Sequence, residues 1–206
     1  GTVERRKAIR YLFHHKNGTG GALNFVFSLS NPGKEPVRLL IIEGGIETGT
    51  NEINVGHQCS VRFIKSKREK RGYIFEIPPG GSYVIHRIRL KPKQIISGLG
   101  EIHLIGGERA VFDIKGLKSS LHIASEDRDI GEYTSRRGHG AYGRPEIEIN
   151  DEYVIGGRWK FIGIGQDSLR NLSSGNTELK GNYGVTYKVR VRIVNPAERE
   201  KKVELQ

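Results

Sequence analysis

The amino-acid sequence predicts a mostly β protein: an immunoglobulin-like β-sandwich with one short helix, followed by a second, smaller or incomplete β-rich domain. Three observations predict it. Apolar residues alternate with polar ones in several short runs, as half-buried strands require. Glycine and proline clusters separate those runs at spacings that suit a sandwich. One strand, Asn-Pro turn, strand pattern occurs twice.

The elements follow in chain order. Residues 8–15 alternate loosely and read as a strand, broken by the Asn17 to Gly21 cluster. Over 22–30, Leu23, Phe25, Phe27 and Leu29 share one face, and Asn24, Ser28 and Ser30 take the other. Pro32 fixes φ in the turn that follows, Gly33 can take φ > 0, and Val37 to Ile42 forms the next strand. Val55, Cys59 and Phe63 recur at i, i+4 and i+8, so 53–70 reads as a short amphipathic helix; Gly56 weakens it and Gly72 would stop it. Strands resume at Tyr73–Ile77, and Pro78-Pro79-Gly80-Gly81 turns the chain. In Tyr83–Leu90 the set Val84, His86, Ile88 and Leu90 is expected to point inward. Leu99–Ile105 and Arg109–Lys115 flank Gly106-Gly107 and are expected to form a tight hairpin, with one more strand over Leu117–Ala124.

The segment from Ser125 to Arg144 holds eight charged residues and four glycines but few aliphatics, the composition of a linker or long loop. The boundaries are therefore a sandwich over 7–124, a linker over 125–144 and a second β-rich domain over 145–206. In the last, Glu146–Ile149 and Trp159–Ile164 read as short strands around a polar loop at 166–180, and alternation of Trp159 with Phe161 favours their burial. Tyr183–Val194 is the longest alternation in the chain, with Val185, Tyr187, Val189, Val191 and Ile193 on one face and Lys188, Arg190 and Arg192 on the other. Placing Asn31-Pro32 on Asn195-Pro196 puts Leu23, Phe25, Phe27 and Leu29 on Tyr187, Val189, Val191 and Ile193, and Leu39 and Ile41 on Val203 and Leu205. Every inward position stays apolar. A strand is expected to begin at 202–206, so the second domain is either truncated there or ends on an edge that needs a partner.

Composition narrows the function classes. Net charge is +11 and pI about 9.8, which favours anionic partners such as nucleic acid, acidic wall polymers or membrane surfaces, although solubility alone would explain the excess. No stretch approaches the roughly 20 apolar residues of a membrane helix. The single cysteine, Cys59, allows no intrachain disulfide and excludes a Cys-rich zinc module. The chain starts Gly1-Thr2 and contains no methionine, so a start residue has been removed or the chain is a processed piece, and a signal peptide or anchor could have gone with it.

The segments Tyr11 to Asn17, Val55-Gly56-His57, Phe63, Ile77 to Gly81, and Asn182-Tyr183-Gly184-Val185 with Asn195-Pro196 resemble an uncharacterised β-rich region of secreted proteins from Gram-positive, spore-forming bacteria. Those proteins often carry a copper amine oxidase N-terminal-like (stalk) domain, itself a non-catalytic accessory module. The resemblance implies a secreted or cell-surface, wall-associated role. It supplies no catalytic residues, and the stalk domain itself is absent from the sequence.

The residues nominate no catalytic group, cofactor site or metal site. Seven histidines are scattered at 14, 15, 57, 86, 103, 122 and 139; His14 and His15 point to opposite faces of a strand and cannot share a metal. No Gly-x-Ser-x-Gly motif occurs, and the Gly-Gly pairs lack the flanking residues of a phosphate loop. Glu146 and Glu148 share a strand face, as exposed positions alternating with Ile147 and Ile149 would. The most polarised feature is the basic run holding Arg62, Lys65, Lys67, Arg68, Lys70 and Arg71 against one carboxylate, Glu69. On a helix these six make a candidate anion-binding surface, while a solvated helix face explains the same run. The expected function is a non-enzymatic module that scaffolds or binds an acidic polymer or protein. Nucleic-acid binding through 62–71 is the alternative, and a metal-dependent hydrolase assembled from scattered His and Glu is a second.

Overall fold

Period-two alternation becomes strand along most of the chain, and the one run with period 3.6 becomes helix. The computed structural model describes residues 2–4, 8–42, 44–118, 139–142, 145–165 and 184–204. Its elements are β1 (Thr2–Glu4), β2 (Ala8–Lys16), β3 (Leu23–Ser30), β4 (Val37–Ile42), β5 (Ile46–Gly49), α1 (Glu52–Arg68), β6 (Tyr73–Ile77), β7 (Ser82–Leu90), β8 (Ile95–Gly106), β9 (Arg109–Lys118), β10 (His139–Tyr142), β11 (Glu146–Val154) and β12 (Thr186–Val194).

Two antiparallel sheets, β1-β9-β3-β7 and β10-β2-β8-β4-β6 with β5 also on β8, face each other across one apolar core. β2 contributes Tyr11 and Phe13, β3 contributes Phe25, Phe27 and Leu29, and β4 contributes Leu39 and Ile41. Rings from opposite sheets meet: Tyr11 with Phe27 at 4.8 Å and Phe13 with Phe25 at 4.9 Å between centroids. Within its own sheet each β2 ring lies over a glycine of β8, Phe13 over Gly98 and Tyr11 over Gly100. A Cβ on Gly98 would stand 2.0 Å from Phe13 Cζ, so these two glycines make room for the aromatic layer. Burying a large aromatic side chain contributes about 1.5–3 kcal/mol, which makes this layer a main source of stability.

Among the described residues no two consecutive strands of the sandwich are hydrogen-bonded to each other. The chain crosses from one sheet to the other at nearly every turn. An immunoglobulin domain differs, because several of its consecutive strands are neighbours. The expected hairpin at Gly106-Gly107 is therefore corrected: β8 and β9 lie in different sheets, and Gly107 takes φ +84° where the chain crosses beside Val37. Val84 is also corrected. The register slips between Phe27 and Ser28, and this irregularity turns Ile85 toward the core and leaves Val84 exposed.

Two crossings are built alike. At Asn31, the side-chain Nδ2 donates to Glu35 O (2.8 Å) and Oδ1 accepts from Gly33 N (2.9 Å). At Asn17, Nδ2 donates to Gly21 O (2.8 Å) and Oδ1 accepts from Thr19 N (3.0 Å). A second turn clamps each one. Asn31 N donates to Gly81 O, Asn31 O accepts from Gly80 N, and Nδ2 donates to Ile77 O. Asn17 repeats this with Gln94 O, Lys93 N and Leu90 O. The clamp residues Gly80 and Lys93 both take left-handed φ, +68° and +64°.

α1 forms where expected, with Asn51 as N-cap accepting from Asn54 N at 3.0 Å, and buries Val55, Gly56, Cys59 and Phe63. It covers the outer face of the β10-β2-β8-β4-β6 sheet, where Cys59 and Phe63 pack on Leu12 and Leu99. Gly56 costs helix propensity, yet it is buried in this contact.

The sandwich also takes in segments outside its expected bounds. β1 precedes residue 7 and pairs with β9; β10 falls inside the expected linker and pairs with β2. The rest of that segment up to 138, the polar loop from 166 and the last two residues lie outside the described residues. The region expected to form a second domain shows, among the described residues, one two-stranded sheet in which β11 and β12 run parallel. No strand forms at Trp159–Ile164. Trp159 and Phe161 are 82% and 88% exposed, and among the described residues neither belongs to a strand or a core cluster.

Candidate functional site

β2 alternates, so with Tyr11 and Phe13 facing the core, Arg10 and Leu12 face α1. β8 does the same with Leu99 and Glu101, and the register sets Arg10 opposite Glu101. Two charges of opposite sign are thus placed side by side under the C-terminal turn of the helix. Arg10 is fully buried and Glu101 nearly so.

All three guanidinium nitrogens of Arg10 donate hydrogen bonds. Nε donates to Glu101 Oε1 at 3.0 Å, and Nη2 donates to the same oxygen. Nη1 reaches out of the sandwich to Gly184 O (2.6 Å), Pro145 O (3.1 Å) and Thr186 Oγ1 (3.1 Å). The Phe63 ring covers the guanidinium, with Cζ 5.0 Å from the centroid. Lys67, one turn beyond Phe63, extends the array: its Nζ lies 2.9 Å from Glu101 Oε1 and 3.3 Å from Glu146 Oε1. Glu146 in turn accepts from Lys188 Nζ at 2.5 Å. Positive and negative charges alternate from the sheet face beneath α1 to β12.

Burial pushes the Glu101 carboxyl upward, but contacts from His103, Arg10 and Lys67 outweigh it and hold the group well below the usual carboxylate range. His103 Nε2 stands 3.6 Å from Glu101 Oε2, beyond hydrogen-bond reach, so Arg10 and Lys67 are the donors that matter. Glu146 is lowered by its bonds from Lys188 and Lys67. Cys59 is the other strongly displaced group: burial pushes its thiol up to about 12, and it donates to Gly45 O. A thiol held protonated in this way is a packing group rather than a nucleophile.

The array joins things. Its acceptors are two main-chain carbonyls, a hydroxyl and carboxylates already matched to cations. Val185 adds an apolar contact to the cluster of Leu12, Cys59, Phe63 and Leu99, so β12 is fastened to the sandwich at its first residues by both means.

The six expected anion-binding residues divide. Arg62 pairs with Glu47 at 2.8 Å, Arg71 with Glu69 at 2.7 Å, and Lys67 belongs to the buried array. Lys65, Arg68 and Lys70 are exposed, and their side chains meet no acidic partner among the described residues. Lys70 and Arg71 lie beyond the helix end. On α1 itself, Lys65 and Arg68 stand beside exposed Ile64 and Val61. The second cationic surface is matched along its length: Lys188 meets Glu146, Arg190 meets Glu148 at 3.3 Å, and Arg192 meets Glu152 at 3.6 Å.

Among the described residues no group of three or more His, Cys, Asp or Glu is placed to hold a metal ion. His57 is exposed on α1, His15 packs against Phe13 and Phe25, and burial lowers His86. His122 lies outside the described residues. Residue types alone marked the basic run but missed Arg10, Glu101 and the inward role of Lys67. The usable signal was two lone charges of opposite sign in apolar runs, Arg10 after Ile9 and Glu101 between Leu99 and Ile102. Comparison with protein-family models, curated proteins and solved structures found no match. The class of protein that fold and site define is a mostly β, sandwich-like module with a β ribbon fastened to one face.

Proposed function

We propose that the chain is a non-enzymatic binding or scaffolding module, secreted or at the cell surface, with an acidic polymer or protein as its partner. One observation carries this reading: Lys65, Arg68 and Lys70 cluster at the end of α1 with no carboxylate of their own among the described residues. Exposed cations in a protein of net charge +11 attract anionic surfaces at a distance set by salt. The charges that could have built a catalytic centre, Arg10, Glu101, Lys67 and Glu146, are spent on one another.

The test is retention on immobilised polyglutamate. Retention at low salt should be lost as the screening length shrinks from about 10 Å at 0.1 M to about 3 Å at 1 M. The triple variant Lys65→Glu, Arg68→Glu, Lys70→Glu should pass through unretained. Retention indifferent to salt would end the electrostatic reading. A mobility-shift titration with duplex and single-stranded DNA separates the nucleic-acid alternative: tighter binding there than to polyglutamate would favour it.

A further inference from the structure

β12 ends in a third copy of the asparagine arch. Asn195 Nδ2 donates to Arg199 O at 2.9 Å, and Oδ1 accepts from Ala197 N at 3.1 Å. These are the same i+4 and i+2 bonds that Asn17 and Asn31 make. In those two arches the asparagine makes three further bonds to a clamping turn. Asn195 is exposed and, among the described residues, makes none of the three.

The strand leading to it is open on the same side. Thr186 N donates to Pro145 O and Val194 O accepts from Ile155 N, so the even positions of β12 aim their main-chain groups at β11. The odd positions, 187 to 195, then aim theirs the other way. Among the described residues no strand pairs there. Val189, Val191 and Ile193 are exposed along this edge.

We propose that the edge of β12 that no described strand pairs, with the Asn195 arch at its end, receives a β-arch from an acidic partner protein. The proposal rests on the preference for an acidic partner and names the shape that partner presents. The two clamped arches fix the geometry. The incoming strand–turn–strand places a left-handed residue third after its first strand, as Gly80 follows Ile77 and Lys93 follows Leu90. Its second strand runs antiparallel to β12, as β7 runs along β3 and β8 along β2. The residue after the turn faces the one before the asparagine, as Ser82 faces Ser30 and Ile95 faces Lys16. By that register, alternate residues of the incoming strand face Arg192, Arg190 and Lys188. These side chains are 79%, 64% and 45% exposed even with their β11 partners in place, so carboxylates are the cross-strand residues that fit. The residues between them face Ile193, Val191 and Val189 and are apolar.

The probe is a synthetic peptide with the Ile77 to Gly81 turn residues followed by a strand with glutamate facing Arg192, Arg190 and Lys188, and valine between. It is titrated into the isotope-labelled whole chain. The amides of Val189, Val191, Ile193 and Asn195 should shift and saturate. Asn195→Ala, at an exposed site, should weaken binding about tenfold, and lysine in place of the peptide's glutamates should abolish it. Equal affinity for Asn195→Ala, or shifts confined to Lys65, Arg68 and Lys70, would overturn the site while leaving the acidic preference standing. A serine version binding β12 as tightly as the glutamate one would overturn the acidic preference and leave the edge as the receptor.

Discussion

Asn17, Asn31 and Asn195 make the same local bonds in different surroundings, and the difference sets what each contributes. Asn17 and Asn31 are buried and also bond a clamping turn, so removing either side chain takes a donor from a buried carbonyl, Leu90 O or Ile77 O, and an acceptor from a part-buried amide, Thr19 N or Gly33 N. We expect Asn17→Ala and Asn31→Ala each to cost about 2–4 kcal/mol in denaturant unfolding. Asn195→Ala, which leaves exposed groups to water, should cost under about 1 kcal/mol. Equal losses at all three sites would contradict the account. Glu101 supplies a pH signature. Its folded pKa lies below the unfolded one, so its stabilising contribution is complete above the unfolded value of about 4.3 and is lost as pH falls through the folded value. Glu101→Gln should therefore destabilise by about 3–5 kcal/mol at pH 7, and the gap to the parent protein should narrow in titrations run below about pH 4. A gap constant across that range would show that the charge is not what matters.

At the scale of elements, the joint between sandwich and ribbon is the informative part. α1 holds Phe63 over Arg10 and brings Lys67 to Glu101 and Glu146, so the helix is a bracket as well as a lid. Arg10→Ala leaves Glu101 buried without its main partner and removes the guanidinium bonds to Gly184 O, Thr186 Oγ1 and Pro145 O, of which Pro145 O keeps its bond from Thr186 N. Hydrogen exchange should then accelerate at the start of β12 before it does in β3, and a uniform acceleration would argue against a distinct joint. Strand and helix positions were legible because their apolar periods are clean: Leu23 to Leu29 and Val55 to Phe63 each mark one buried face. The pairing of strands was not legible. Gly106-Gly107 has the composition of a hairpin, yet the choice between a hairpin and a crossing depends on β2 and β4 already flanking β8, a long-range fact. Trp159 and Phe161 misled in the other direction: they alternate as strand residues do, yet among the described residues they form no strand and stay exposed.

Across the whole molecule, charge is divided between fastening and presentation. The buried array uses Arg10 and Lys67, the ribbon pairs Lys188, Arg190 and Arg192 with Glu146, Glu148 and Glu152 while leaving them partly exposed, and Lys65, Arg68 and Lys70 meet no acidic partner among the described residues. The sequence located the basic run but could not divide it, because Arg62 and Lys67 find their carboxylates on Glu47 and Glu101, remote in the chain. The most direct test of an electrostatic binding module is an equilibrium titration with soluble polyglutamate at several salt concentrations. The account predicts an affinity that falls steeply and linearly on a log–log plot, with a shallower slope for the variant Lys65→Glu, Arg68→Glu, Lys70→Glu. An affinity unchanged by salt, or a slope identical in parent and variant, would contradict it.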